Sequence, residues 1–288
     1  MSLTSALNSA VSGLAVNQRG LEIASHNIGN ANTEGYSRRV MRTESVDSLG
    51  IGSRGVTVSN IERVTDKFLS QQVRTESSTL GRAEVRDRYL TNTQDLFGNI
   101  SSDSSIGQRI ADMMNRMEVL AVEPESATAA SALIDDAVRF ATDLNAISDK
   151  IETQRLEADL EIARSIEDLN TDLQLVADVN DKIVSLNVSG GAEADSGDLL
   201  DRRDMALKRI GEKINIKTFE RSNGEVVVYT GDSRPLLDGD PVKIVYSPSG
   251  SGALGTAYET IATADGISLQ SDIRDGSIKG LLELRDKV

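Results

Sequence analysis

A heptad repeat at the N-terminus constrains the fold of this chain more than any other sequence feature. Leu7, Leu14, Leu21 and Ile28 recur every seven residues, and mostly small residues fill the second core position of each heptad. This pattern predicts a narrow coiled-coil seam that allows a partner helix to approach closely. The predicted subunit-interface seam consists of Leu3, Leu7, Ala10, Leu14, Leu21, Ala24 and Ile28.

The alternative is an amphipathic helix that folds back onto its own domain. Between Met1 and Thr33 only Arg19 and Glu22 are charged, whereas Ser and Asn are plentiful. A solvated helix face is normally charged. We therefore favour burial of this helix in an assembly, where hydrogen-bonding groups without charge are cheaper to desolvate.

Composition disfavours catalysis and cofactor binding. The 288 residues include no Cys and one His, and aromatic residues make up 3%. Absence of Cys excludes thiol catalysis, disulfides and Cys-bearing zinc sites, and a single His leaves little room for a His-based triad. We predict no enzyme activity, no cofactor and no metal site.

Three motifs that could carry chemistry have simpler structural explanations. The Gly50–Gly55 segment matches the dinucleotide fingerprint, but an alternating strand pattern follows it where that motif requires a helix. The closely spaced Met113, Met114 and Met117 could form a copper site, but their spacing favours packing in an irregular core. The acidic residues between Asp135 and Glu161 lack the spacing of a calcium loop and indicate a solvated helix face.

Charge and hydropathy limit the partners. The formal net charge is −14, and residues 1–100 carry 11 basic and 10 acidic side chains, so the negative charge lies mainly in residues 101–288. An acidic surface repels phosphate backbones, which argues against a nucleic-acid partner. No cleaved signal peptide and no membrane-spanning stretch is recognisable, so we expect no membrane insertion.

The spacing of apolar residues predicts a mainly α fold with a smaller β part. We expect an N-terminal heptad helix, turn and β-hairpin over residues 1–60, a long-helix rod over 61–197, and an α+β lobe over 198–288. One helix is expected over residues 126–188, with a possible break near Glu157. In the lobe, Asn223-Gly224 predicts a type I′ hairpin turn and residues 247–255 a mobile loop. Because its strands are local, we expect residues 212–275 to be dispensable for the fold of the helices.

A polar turn follows the heptad helix at Asn30, Ala31, Asn32, Gly35 and Tyr36. Asn and Gly tolerate positive φ, so this segment should end the helix and reverse the chain. Together with the Ser5–Leu14 and Ile23–Ile28 segments, it resembles the N-terminal signature of bacterial flagellar rod, hook and hook-associated proteins. That family more often has Asn at the position of His26, which we interpret as a polar exchange.

Two further motifs narrow the resemblance to the hook-associated branch of that family. They are the Leu199–Asp204 segment, which leads into a hairpin, and the Gly276–Asp286 run. Rod and hook proteins should instead be rich in β structure after residue 61. The resemblance covers essentially the whole chain, and it implies a second heptad helix beyond Val288 that pairs with the first.

The resemblance implies a structural adaptor that joins hook to filament in the extracellular flagellum, exported without a cleaved signal peptide by the flagellar type III route. The implied partners are hook protein, neighbouring copies of the chain, a further hook-associated protein or flagellin, and an export chaperone. A flagellar rod or hook subunit and a cytoplasmic coiled-coil scaffold are the alternatives.

Overall fold

The computed structural model describes residues 3–47, 54–98, 105–188 and 193–287. Six α-helices and eight β-strands lie in these ranges. The helices are α1 (Leu3–Gly29), α2 (Lys67–Leu96), α3 (Ile106–Val122), α4 (Ala127–Val188), α5 (Glu193–Lys213) and α6 (Ser277–Lys287). The strands are β1 (Arg39–Asp47), β2 (Arg54–Arg63), β3 (Ile216–Glu220), β4 (Val226–Thr230), β5 (Pro235–Asp238), β6 (Asp240–Pro241), β7 (Ile244–Val245) and β8 (Ala262–Thr263).

The mainly α fold class is confirmed. Helix α4 is 62 residues long and continuous through Glu157, so the break expected there does not occur. It starts after Pro124, where the Ser126 Oγ accepts a hydrogen bond from the Ala129 N–H at 3.3 Å. At 1.5 Å per residue α4 is about 93 Å long. Helices α2 to α4 occupy the region where the rod or hook alternative requires β structure.

The chain forms two compact units, and each combines segments that are distant in sequence. The first unit contains residues 1–77 and 169–243, and the second contains residues 78–168 and 244–288. Two of the three boundaries fall inside α2 and α4, and the third lies between β6 and β7. The division into residues 1–60, 61–197 and 198–288 remains a prediction about order along the chain.

In the first unit, β3 to β6 form an antiparallel sheet in sequence order that packs on the C-terminal half of α4. The Asn180 side chain of α4 donates to the Val226 carbonyl at 2.8 Å and accepts from the Val226 N–H at 3.1 Å. Val228, Leu236 and Leu237 are fully buried. The expectation that the strands are dispensable for the helices is therefore wrong, because sheet and helix share a core.

The turn between β3 and β4 also differs from the sequence prediction. A type I′ turn requires positive φ at both central residues. Among the described residues other than glycine, only Ser233 has a positive φ, so Asn223 does not, whereas Gly224 has a φ of 90°. The Gly224 N–H donates to the Arg221 carbonyl at 2.9 Å, and the Arg221 N–H donates to the Glu225 carbonyl at 2.8 Å. These bonds describe a three-residue loop with glycine at the bulge position.

In the second unit, the segment expected to be a mobile loop packs on α4. The Asp159 carboxylate is fully buried, so the solvated face predicted for the acidic residues of α4 does not include it. It accepts hydrogen bonds from the Ser249 N–H at 2.7 Å and from the Ser249 hydroxyl at 3.0 Å. A Cβ placed on Gly252 would lie 1.7 Å from the Glu152 carbonyl oxygen. Glycine and serine in residues 247–255 thus serve close contact with the helix rather than mobility.

Helix α6 packs in the second unit through the Gly276–Asp286 motif. A Cβ on Gly280 would lie 3.0 Å from the Arg82 carbonyl oxygen of α2, so glycine permits close helix approach. Arg285, with 1% of its surface exposed, donates to the Tyr246 hydroxyl and stacks on the Tyr258 ring at 4.4 Å. The Arg155 Nε also donates to the Arg285 carbonyl at 3.0 Å. The Gly276–Asp286 motif is therefore a packing motif.

Candidate functional site

All residues of the predicted seam lie in α1 and are exposed. The large side chains Leu3, Leu7, Leu14, Leu21 and Ile28 expose between 60% and 90% of their surface. Ala10 and Ala24 are exposed as well. A stripe of aliphatic side chains in water is unusual for an isolated protein and is typical of an interaction surface.

A different face of α1 packs on the hairpin formed by β1 and β2. Less exposed residues recur at the helical spacing of Ser12, Val16, Gly20, Ile23 and Asn27. At 3.6 residues per turn, this face lies roughly 130° around the helix from the seam. Helix α1 therefore has a partner within the chain, and this contact leaves the seam uncovered.

Two small residues allow the helix and hairpin to approach closely. A Cβ on Gly55 would lie 3.1 Å from the Ser12 Oγ, which accepts a hydrogen bond from the Val56 N–H at 3.2 Å. A Cβ on Gly20 would lie 3.4 Å from the Met41 Cε. Strands β1 and β2 pair antiparallel from Arg39↔Arg63 to Asp47↔Arg54, and residues 48–53 between them, which contain most of the Gly50–Gly55 segment, lie outside the described residues.

Asn27 connects the end of α1 to the first strand and to the turn. Its side-chain amide donates to the Arg39 carbonyl at 2.9 Å, and its Oδ1 accepts from the Arg39 N–H at 2.9 Å and from the Tyr36 hydroxyl at 2.9 Å. The role of Asn27 was not predicted from the sequence. The sequence signal for it is an amide side chain in the last turn of α1.

The turn residues serve different purposes. The Asn30 side chain donates to the His26 carbonyl at 3.0 Å and ends the helix, and Tyr36 contacts Asn27. Gly35 has a φ of 81°, and a Cβ there would lie 2.3 Å from the Met205 Cγ of α5. Ala31 and Asn32 are exposed. Gly35 and Tyr36 thus hold the turn in place.

Ion pairs join the hairpin to the Leu199–Asp204 motif of α5. Arg63 pairs with Asp201 at 2.8 Å and with Asp204 at 2.6 Å, and Arg39 pairs with Asp201 at 3.5 Å and with Asp198. Asp201 and Asp204 are three residues apart and therefore lie on one face of the helix. The arginines are about 85–90% buried, and the carboxylates compensate for the burial of their charge.

Arg203 of the same motif points to the sheet. Its Nη1 donates to the Gly224 carbonyl at 2.7 Å and to the Asn180 Oδ1 at 3.3 Å. Burial lowers the pKa of Arg203, and the nearby carboxylate of Glu220 acts in the opposite direction. The motif therefore contacts the hairpin through its acidic residues and the sheet through this arginine.

The pair between Arg39 and Asp198 illustrates the electrostatics of this contact. Burial of Arg39 opposes its charge, but the hydrogen bond to Asp198 and the charges around it raise its pKa overall. The same hydrogen bond lowers the pKa of Asp198, against a smaller effect of burial. Both groups are thus held in their charged forms.

Within the described ranges, no cluster of three or more His, Cys, Asp and Glu side chains could hold a metal ion. In the same part of the chain, no helix combines the length and apolar character needed to cross a bilayer.

Comparison with known proteins identifies the relatives. The family model for the flagella basal body rod protein matches residues 7–36, which contain most of the seam and the whole turn. The family model for the flagellar hook-associated protein FlgK helical domain matches residues 90–288. These matches define a structural protein of the bacterial flagellum. Because the second covers more than two thirds of the chain, the chain belongs to the FlgK family of flagellar hook-associated proteins.

Individual relatives agree with this assignment. Flagellar hook-associated protein 1 of Escherichia coli is 24% identical over 99% of the chain and 53% of its own length. The protein of that name from Salmonella typhimurium is 25% identical over 99% and 52%, respectively. The chain therefore spans about half the length of these relatives. The solved structure of the flagellar hook junction protein FlgK from Burkholderia pseudomallei has a similar fold, with a TM-score of 0.56 and 19% identity over 75% of this chain and 39% of that one.

Proposed function

We propose that this protein is a structural subunit that joins hook to filament at the junction of the bacterial flagellum. The observation that carries the proposal is the exposed seam on α1, which the hairpin holds in place without covering. A helix fixed in this way presents its apolar stripe to other subunits. Family membership supports the flagellum as the setting.

Energetics favour burial of the seam in an assembly. Each large aliphatic side chain gains roughly 1.5–3 kcal/mol when it moves from water into a packed interface. Contacts between α1 and the hairpin also fix the helix before it meets a partner, so less conformational entropy is lost on assembly. The seam is therefore suited to contacts between helices of neighbouring subunits.

The finer features of the role belong to the same proposal. The partners are hook protein, neighbouring copies of the chain, a further hook-associated protein or flagellin, and an export chaperone. The protein acts outside the cell, reaches the junction without a cleaved signal peptide and has no catalytic role. The exposed seam supports the subunit partners, and family membership supports the location.

Immunogold labelling of isolated flagella tests this role. The proposal predicts label only at the distal end of the hook, where the filament begins. Label along the hook or below it would favour a hook or rod subunit. Label confined to the cytoplasm would favour a coiled-coil scaffold.

A double substitution tests the seam. Leu14→Asp with Leu21→Asp should abolish incorporation into flagella, because buried carboxylates without partners are costly. Asn8→Asp with Ala15→Asp is the matched control, since it adds the same charge at exposed positions of α1 outside the seam. Both variants should keep the circular dichroism spectrum of the parent. Normal incorporation and motility of the seam variant would contradict the proposal.

A further inference from the structure

A second uncharged apolar surface lies on the pair of helices α3 and α4 in the second unit. Two ion pairs fix the register of these helices: Arg109 pairs with Asp143 at 3.1 Å, and Arg116 pairs with Asp136 at 3.2 Å. Seven residues forward along α3 correspond to seven residues backward along α4. The helices are therefore antiparallel, and Met114 is level with Val138.

Apolar side chains of both helices share one side of this pair. The inward positions include Met113 and Leu120 of α3 and Ala137 and Phe140 of α4, which are partly buried. In each helix, the exposed apolar positions are rotated about the helix axis by roughly 90–120° from the inward positions, and the direction of rotation is the same in both helices. Because the helices are antiparallel, equal rotation brings both stripes to the same side. We call this surface the α3/α4 face; it consists of Ile110, Met114, Met117, Ala121, Ile134, Val138 and Ala141.

The α3/α4 face is exposed and contains no charged residue. Its five large side chains expose between 39% and 63% of their surface, so the prediction that Met114 and Met117 fill an irregular core is wrong. The chain as a whole has a net charge of −14, so two copies repel each other on average. An uncharged face avoids this repulsion, and the flexible methionines can adapt to an irregular partner surface.

We propose that the α3/α4 face is a contact between neighbouring copies of this chain in the assembled flagellum. The inference rests on the proposed function, which brings copies together, and it adds a second contact to the α1 seam. Five half-exposed side chains amount to roughly 400 Å² of apolar surface, about half of what each partner contributes to a standard interface. The face is therefore too small to hold free chains together and is suited to reinforcing copies that the seam has assembled.

Site-specific photo-crosslinking in cells identifies the occupant. We would replace Met114 with p-benzoylphenylalanine and irradiate intact flagella, with the same replacement of Asn115 as the control. These two exposed residues are adjacent in sequence but point about 100° apart on α3. The expected result is an adduct of two copies of this chain at position 114, with little at 115. An adduct with a different protein, or no adduct at position 114, would overturn the inference.

Substitution of the face gives an independent readout. Met114→Asp with Val138→Asp should reduce incorporation into flagella at least about tenfold, because each 1.4 kcal/mol of lost contact is a factor of ten. Asn115→Asp with Ala146→Asp, two exposed positions outside the face, should incorporate normally. Circular dichroism of the purified chains checks that both variants fold. Incorporation of the face variant at the control level would contradict the inference.

The two proposals fail in different ways. Immunogold label away from the junction refutes the proposed function, whatever the crosslinks show. Label at the junction without a homotypic adduct at position 114 refutes the α3/α4 contact alone.

Discussion

At the scale of single residues, the flagellar signature acts through Asn27. One amide side chain satisfies both backbone groups of Arg39 and accepts from the Tyr36 hydroxyl. The Tyr of the motif therefore orients the amide that holds the hairpin against α1. The orientation of the seam relative to the hairpin therefore depends on Asn27, although Asn27 is not part of the seam.

Asn27→Ala should destabilise the chain by about 1–3 kcal/mol, because it leaves part-buried backbone groups without partners. Asn8→Ala, at an exposed position of the same helix, should have almost no effect. The free energy of unfolding from urea titration measures both. A loss for Asn27→Ala no larger than for Asn8→Ala would show that the Arg39 backbone finds other partners.

The partly buried phenol of Tyr246 predicts sensitivity to alkali. Burial, followed by its hydrogen bond to the Asp159 carboxylate, raises the pKa of Tyr246, while Arg285 acts in the opposite direction. Because the pKa is higher in the folded state than in the unfolded state, the associated stability is present below the ordinary tyrosine pKa of about 10 and is lost as the pH rises above it. In an absorbance titration at 295 nm, Tyr246→Phe should remove a component that ionises late. An unchanged late component would contradict this assignment.

At the scale of elements, close contact with α4 rather than local propensity determines the conformation of residues 247–255. A Gly- and Ser-rich sequence usually indicates a flexible loop. Here Ser249 is bound to the buried Asp159, and Gly252 is buried against the backbone of α4. The same composition that favours flexibility also favours close backbone approach, because glycine lacks a side chain.

Gly252→Ala should therefore be strongly destabilising. Its Cβ would overlap the Glu152 carbonyl oxygen at 1.7 Å, and we expect a loss of about 3 kcal/mol, the upper part of the usual overpacking range. Gly13→Ala in α1 is the control, since no atom lies within 4 Å of the added Cβ, and it should be neutral or stabilising by up to about 1 kcal/mol. Equal thermal midpoints for the two variants would mean that the loop moves away from α4.

At the scale of the whole molecule, residues distant in sequence share each core. Strands β3 to β6 pack with residues 169–188 of α4 in the first unit, whereas residues 244–288 belong with residues 78–168 in the second. Among the described residues, the sheet of β3 to β6 therefore shares its core with α4. A substitution that destabilises the sheet should therefore also destabilise the helices.

Leu237→Ala should lower the melting temperature of the helical signal at 222 nm. Leu237 is fully buried in β5, and truncation of a buried Leu costs about 2–5 kcal/mol. Leu254→Ala, at a position with 88% of its surface exposed, should leave the transition unchanged. An unaltered helical transition in Leu237→Ala would restore the interpretation of an independent β lobe.

The sequence by itself determined the helices, the apolar stripe of α1 and the family. The heptad of Leu7, Leu14, Leu21 and Ile28 and the apolar stripe of α4 are periodic over many residues, so local spacing specifies them. Contacts between distant residues decided the rest. The packing of the hairpin on α1, the hydrogen bonds of Asn27, the turn conformation at Asn223 and the docking of Ser249 on Asp159 depend on which surfaces meet after folding. Short-range pattern cannot specify these features, because one polar or glycine residue suits a loop, a turn or a buried contact equally well until its partner is in place.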